Sequence, residues 1–135
     1  MTRYAISYVA TLAVFVTIDL MWLGWIAKSL YLAELGKLVR SEPNLVAAAI
    51  FYLLYAGGLV LFAVIPGLKA ASAMHALAVG GALGLIAYGT YDLTNLAMLN
   101  GFSLKIALID MVWGTILSGA TAALVVALIS KMFSH

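Results

Sequence analysis

The stretch that decides the fold is residues 45–65, which reads LVAAAIFYLLYAGGLVLFAVI and contains no charged side chain. A helix of about 20 apolar residues is long enough to cross the roughly 30 Å hydrocarbon layer of a bilayer. Three further apolar segments are long enough to cross a bilayer: one precedes it, at residues 4–27, and two follow it, at residues 70–99 and 104–130. Because backbone polar groups find no partners in lipid, we expect all four segments to be α-helical spans.

The composition of the chain agrees with this interpretation. Of its 135 residues, 66% are hydrophobic and only 9% are charged, whereas about 25% of the residues in an average soluble domain are charged. The formal net charge of +2 is too small to favour nucleic-acid binding. The sequence contains no cysteine, which excludes disulfides and thiolate metal sites. We therefore expect a single membrane domain over residues 1–135, with the lipid bilayer as its surroundings and no nucleic-acid partner.

Turn signals between the spans predict how the helices are connected. Pro66-Gly67 is expected to end the second helix, and Asn100-Gly101 marks a short loop between the third and fourth. Asn44 and Ser103 stand where the N-caps of the second and fourth helices belong. The first span is expected to be retained, because its apolar run is too long for a signal peptide. The sequence thus predicts an all-α integral membrane fold, a four-transmembrane-helix up-down-up-down bundle.

Residues 28–41, between the first two spans, are predicted to form a short interfacial helix. Its apolar side chains share one helical face: Leu32, Leu35, Leu38 and Val39. Such a helix either rests on the lipid headgroups, which is the commoner arrangement, or forms a lid over a site.

Three carboxylates lie inside the predicted spans, at Asp19, Asp92 and Asp110. At a rise of 1.5 Å per residue, each lies roughly 9–12 Å from the span end that faces the interfacial segment. The three side chains are therefore expected to share one level of the bundle. A charged carboxylate at the centre of a bilayer costs about 2.5–3.5 kcal/mol, so intramembrane acids usually have a function. We interpret these three as a site that binds or carries a proton, a cation or a small cationic or lipophilic substrate.

Other polar and aromatic side chains are expected at the same level. Each of two tryptophans lies three residues after an aspartate, and a stripe on the third span follows the i, i+3, i+4, i+7 spacing of one helical face. An aromatic belt near the membrane interface is the simpler explanation for the tyrosines and tryptophans. Added to the three aspartates, the candidate binding residues are Asn95, Tyr91, Tyr88, Trp22, Trp113, Tyr52 and Tyr55.

No catalytic residue, protein metal ligand set or required cofactor is predicted, since the common hydrolase, zinc and redox motifs are absent from the sequence. A hard cation would suit the oxygen ligands of the aspartate cluster. Two alternatives to a carrier stay open: a membrane-embedded enzyme acting on a lipid or lipophilic small molecule, and a non-catalytic subunit of a membrane complex. Four spans are few for alternating access, so a carrier of this size is expected to work as a homodimer, by analogy with other four-span exporters.

Five short motifs, in order along the chain, resemble those of a known family: 19–24 (DLMWLG), 51–55 (FYLLY), 81–84 (GALG), 90–95 (TYDLTN) and 110–114 (DMVWG). The chain is similar to bacterial predicted inner-membrane proteins grouped as domain of unknown function 2177. The similarity covers nearly the whole chain, and TYDLTN is its most specific part. The resemblance implies a four-span, multi-pass protein of the bacterial inner (cytoplasmic) membrane, and it implies no particular activity.

Overall fold

Four long helices make up most of the computed structural model, which describes residues 2–40 and 42–133. The helices cover Thr2–Ile26, Leu45–Lys69, Ala73–Met98 and Leu104–Met132, and each is long and apolar enough to cross a membrane. They are termed the first to fourth spans below. Within the described residues there is no β-strand. The expected all-α fold with four membrane-spanning helices is therefore confirmed.

Side-chain caps begin three of the four spans. Asn44 and Ser103 each accept the backbone N–H three residues further on, at 3.1 Å and 3.2 Å, and so cap the second and fourth spans as expected. Ser72 caps the third span in the same way at 2.9 Å. Because this cap fixes the start of the helix, the third span begins at Ala73 rather than near residue 70.

Pro66-Gly67 does not end the second helix, so that prediction is wrong. The helix continues through the proline to Lys69, after a π-helical turn at Val60–Val64. A π turn widens the helix just before the proline, whose ring and missing N–H disrupt a regular α-helix. Gly67 serves close packing instead, since a Cβ there would lie 2.9 Å from the Cβ of Ala76.

The third and fourth spans approach each other closely along a ridge of small residues. A Cβ at Gly80 would lie 2.9 Å from the Cβ of Ala122, and a Cβ at Gly84 would overlap the backbone of Gly114. Residue numbers rise along one span as they fall along the other, so these two spans are antiparallel. Such small-residue contacts drive helix association in lipid, where burial of apolar surface contributes little.

A short helix, Lys28–Leu35, connects the first and second spans and ends at Gly36, whose φ is +49°. A 3-10 turn follows at Gly36–Leu38. The predicted helical segment 28–41 is therefore longer than the observed helix, and its last residue, Ser41, lies outside the described residues. Whether this connecting helix rests at the membrane interface stays a prediction.

The buried face of the connecting helix differs from the expected one. Leu30, Tyr31 and Leu35 pack around the start of the fourth span, at Phe102 and Ile106. The other members of the predicted apolar face are exposed, namely Leu32, Leu38 and Val39. The glycine ends the helix before it reaches residue 38, and contacts with the fourth span rather than helical periodicity decide which side is buried.

Candidate functional site

A cavity of about 390 Å³ lies between the spans, near the end of the bundle that carries the connecting helix. Small-molecule sites typically enclose about 300–1,000 Å³. Residues from all four spans form its wall: Asp19, Leu23, Ala48, Phe51, Tyr52, Ala87, Tyr88, Tyr91 and Asp110.

The contacts of the second span lead us to infer that the cavity opens sideways, between the second and third spans. The N-terminal part of the second span, Leu45–Leu59, packs against the first span, whereas Val60–Val64 packs against the third. The two spans therefore diverge at the level of the cavity. Phe51 and Tyr91 stand on either side of this gap and are 42% and 58% exposed. In a membrane, this opening would face the lipid.

Asp19 is buried, and both of its carboxylate oxygens accept hydrogen bonds. The Tyr52 hydroxyl donates to Oδ2 at 2.7 Å, and the indole Nε1–H of Trp113 donates to Oδ1 at 3.0 Å. Hydrogen bonds to charged groups contribute about 1.5–3 kcal/mol each. Asp19 thus ties the first span to the second and fourth, and each of its oxygens already accepts one hydrogen bond from the protein.

Asp110 is the more available carboxylate of the cavity wall. It is half-buried, and its Oδ1 accepts a hydrogen bond from the Tyr31 hydroxyl at 2.8 Å. Burial raises the pKa of Tyr31 above its usual value, and the charge of Asp110 adds to this rise. Tyr31 therefore remains a protonated donor at physiological pH. The carboxyl group of Asp92 lies within hydrogen-bonding reach of Asp110, and Asp110 also lines the cavity, where a carboxylate with about four acceptor sites can still accept from a ligand.

Two stacked tryptophans connect these carboxylates. The ring centroids of Trp22 and Trp113 lie 4.3 Å apart, with their planes inclined by 9°. Trp22 donates to the Tyr31 hydroxyl at 3.1 Å, and Trp113 donates to Asp19. The first span becomes π-helical at Trp22, and such turns are frequent at functional sites. One hydrogen-bonded and stacked network therefore joins both cavity carboxylates.

Asp92 lies behind the cavity wall rather than in it. The residue is 1% exposed, and its Oδ2 has no hydrogen-bond partner among the described residues. Asp110 acts electrostatically on both Asp92 and Asp19, which is consistent with a position between them. The three aspartates lie in one region of the bundle, but their surroundings differ strongly.

Of the three remaining candidate residues, Tyr88 lines the cavity, whereas Asn95 and Tyr55 do not. The Tyr88 ring packs over Gly114, where a Cβ would overlap it, and forms part of the wall. Asn95 lies beside the exposed Tyr91 on the same helix. Tyr55 is not in the wall; its hydroxyl is paired with that of Ser118 at 2.7 Å, deeper in the bundle.

Sequence reasoning missed several residues of this region. Tyr31 is the most informative, because it is the only aromatic residue in residues 28–41 and could have been noticed on that ground. Phe51 and Leu23 lie in the motifs 51–55 and 19–24, but nothing distinguished them as cavity residues, since apolar residues are common in every span. Glu34 accepts a hydrogen bond from Ser103 at 2.6 Å and thereby fastens the connecting helix over this end of the bundle.

Within residues 2–40 and 42–133, no group of three acidic, histidine or cysteine side chains is placed to hold a metal ion. In addition, both oxygens of Asp19 accept hydrogen bonds from protein donors.

Comparison with known proteins gives one match. A family model described as a predicted membrane protein, DUF2177, matches residues 4–127. No curated protein and no solved structure matches the chain.

Proposed function

On the premise that the chain belongs to this family of predicted membrane proteins, we propose that it binds and carries a small lipophilic cation in the cavity beside Asp110. The observation that carries the proposal is the composition of the wall. The Asp110 carboxylate stands among four aromatic rings, and the remaining wall is aliphatic apart from Asp19, whose two oxygens accept hydrogen bonds from the protein. Aromatic faces attract cations by about 0.5–2 kcal/mol each when water is excluded, and the carboxylate supplies the opposite charge.

The sideways opening supports a substrate that partitions into the bilayer. A lipophilic cation concentrates among the acyl chains and headgroups, and it would reach Asp110 through the gap flanked by Phe51 and Tyr91. A strongly hydrated ion would gain little from this route, because the gap offers it no polar path. The geometry therefore favours an organic cation over a metal ion.

The same proposal includes the membrane in which the protein lies and its oligomeric state. We place it in the bacterial inner membrane, on the strength of its family resemblance. We also propose a homodimer as the unit that carries the substrate, since four spans are few for alternating access.

Calorimetric titration of the protein in lipid nanodiscs with benzyltrimethylammonium tests the binding step. We expect one saturable site. Asp110→Asn removes the opposite charge and is expected to weaken binding at least tenfold, about 1.4 kcal/mol. Tyr91→Ala removes one aromatic wall and is expected to weaken binding about threefold to tenfold.

Two controls make this test specific. Glu34→Gln removes a carboxylate that lies outside the cavity wall, and it should leave the affinity unchanged. Neopentylbenzene, the neutral molecule of the same shape, should bind equally weakly to the wild-type protein and to Asp110→Asn. Equal affinity of the cation for the wild type and Asp110→Asn would refute the proposal.

The closed floor of the cavity supports one alternative, a membrane enzyme acting on a lipophilic small molecule. Phe15, Leu59 and Leu117 are fully buried in one cluster below Asp19, so this cluster closes the cavity on the side away from the connecting helix. Asp110 would then act as a general base. Uptake of radiolabelled benzyltrimethylammonium into proteoliposomes separates the two functions, because a carrier moves the cation across the bilayer and an enzyme does not.

A further inference from the structure

Two threonines below the cavity lack hydrogen-bond partners. Thr11 of the first span and Thr121 of the fourth are fully buried, and neither hydroxyl oxygen has a partner within the described residues. Buried polar groups are nearly always paired, so each exception in a folded protein needs an explanation.

Several other hydroxyls in the spans donate to carbonyl groups of their own helix. Ser7, Thr90 and Thr115 each donate to the carbonyl four residues earlier, at 2.7, 2.6 and 2.8 Å. This is the usual way in which serine and threonine are accommodated inside a helix. Thr11 and Thr121 depart from this pattern although they lie in equally regular helices.

The register of the first and fourth spans places the two threonines at the same level. Asp19 bonds Trp113, and one turn further along both spans Phe15 packs in one cluster with Leu117. By the same register, the next turn of each span places Thr11 and Thr121 at the same level. At 1.5 Å per residue, this level lies roughly 12 Å from Asp19.

Further hydroxyls extend this level in both directions. Towards the cavity, Ser118 lies one turn from Thr121. Its hydroxyl is paired with that of Tyr55 at 2.7 Å, and Tyr55 packs in the same buried cluster as Phe15. Towards the other end of the bundle, the buried Ser7 lies one turn from Thr11. Ser7 is five residues from the N-terminal start of the first span, which corresponds to a distance of roughly 8 Å along the helix. We use the name hydroxyl column for these side chains: Tyr55, Ser118, Thr121, Thr11 and Ser7.

We infer that the hydroxyl column is a proton pathway between the acidic cavity and the opposite face of the membrane, with water bound between Thr11 and Thr121 as its central link. Buried water characteristically pairs with polar groups that the protein leaves unsatisfied. In each step, a hydroxyl or water donates its proton to the next oxygen and accepts one from the previous oxygen. One proton therefore moves along the column while every oxygen ends with the same number of bonds.

The inference goes beyond cation binding, because it assigns a second transported species and a route that the cavity residues do not form. It does not depend on which ligand occupies the cavity. Removing the hydroxyls of Thr11 and Thr121 should leave the affinity for benzyltrimethylammonium unchanged, since neither residue lies in the cavity wall.

Proton flux into proteoliposomes, reported by an enclosed pH-sensitive dye under an imposed membrane potential, tests the pathway. The flux is measured with and without a benzyltrimethylammonium gradient. Thr11→Val and Thr121→Val keep the side-chain shape and remove the hydroxyl, and each is expected to lower the flux at least tenfold. Thr11→Ser and Thr121→Ser keep a hydroxyl and should restore most of it, which separates lost conduction from lost folding.

Thr115→Val is the matched control, because it removes a threonine hydroxyl of the same span that lies outside the column. It should conduct like the wild type. The inference is overturned if the wild-type protein carries no protons above the level of empty liposomes under either condition. It is also overturned if Thr11→Val and Thr121→Val conduct as fast as Thr115→Val.

Discussion

The three intramembrane aspartates differ in their hydrogen-bond partners, and this difference assigns them different roles. Asp19 accepts two hydrogen bonds from other spans and stabilises the bundle. Asp110 accepts one from Tyr31 and lines the cavity, whereas Asp92 is buried and its Oδ2 has no partner among the described residues. The common level of the three follows from residue counting along helices of known rise. Their partners could not be predicted, because they depend on how each helix is rotated and on where residues 28–35 fold back.

Asp19→Leu should destabilise the protein, since it leaves the Tyr52 hydroxyl and the Trp113 indole N–H without their acceptor. We expect the free energy of unfolding to fall by about 1–3 kcal/mol, measured by reversible unfolding in mixed micelles. Asp110→Asn retains an oxygen that can accept from Tyr31, so it serves as the comparison and should change stability much less. Equal stability of Asp19→Leu and the wild type would contradict the structural role of Asp19.

At the scale of the elements, hydropathy identified the four spans, because length and apolar composition alone decide whether a helix can cross lipid. The caps at Asn44 and Ser103 were also readable, since the N-cap preference is local. Pro66 was misread for the opposite reason. Whether this proline ends the helix depends on the π turn at Val60–Val64, and the local sequence contains no signal that predicts such a turn.

Close packing of the third and fourth spans can be tested by adding a single methyl group. In Gly84→Ala, the new Cβ would overlap the Gly114 backbone and the Ser118 side chain, and we expect a loss of about 1–3 kcal/mol in stability. Gly58→Ala is the matched control, because a Cβ there meets nothing within 4 Å. Thermal unfolding in detergent should separate the two variants clearly. A Gly84→Ala protein as stable as Gly58→Ala would show that the two spans pack less closely than described.

The connecting helix should loosen when its hydrogen bond to the fourth span is removed. In Glu34→Ala the Ser103 hydroxyl loses this acceptor but still caps the fourth span. Amide hydrogen exchange in residues 28–38 should then accelerate severalfold, while exchange in the spans stays unchanged. Lys37→Ala, at an exposed position, is the control and should exchange like the wild type.

Amide hydrogen exchange in the connecting helix of the wild-type protein, after correction for the intrinsic rate, is expected to be independent of pH between about 6 and 9. The pKa of Tyr31 is raised by burial above its usual value of 10, so its hydrogen bond to Asp110 contributes fully at any lower pH. That contribution would be lost only as the pH rises through the raised value. Exchange of the wild-type connecting helix that accelerates between pH 7 and 9, after correction for the intrinsic rate, would contradict this description of Tyr31.

For the whole molecule, the predicted topology places both ends of the chain on one side of the membrane. The sequence has no cysteine, so single-cysteine variants report position without background labelling. Thr2→Cys and Ala70→Cys should react with a membrane-impermeant maleimide from one side, and Lys37→Cys and Asn100→Cys from the other. Labelling of all four variants from the same side would exclude the up-down-up-down arrangement.

Photolabelling with a diazirine derivative of benzyltrimethylammonium tests the central claim most directly, since it reports where the cation binds in the wild-type protein. Binding in the cavity predicts that the label is attached mainly within residues 48–52 and 87–91. Excess unlabelled cation should abolish this labelling, and excess neopentylbenzene should not. Label spread along the lipid-facing sides of the spans, and unaffected by the competing cation, would show that the cavity beside Asp110 is not a cation site.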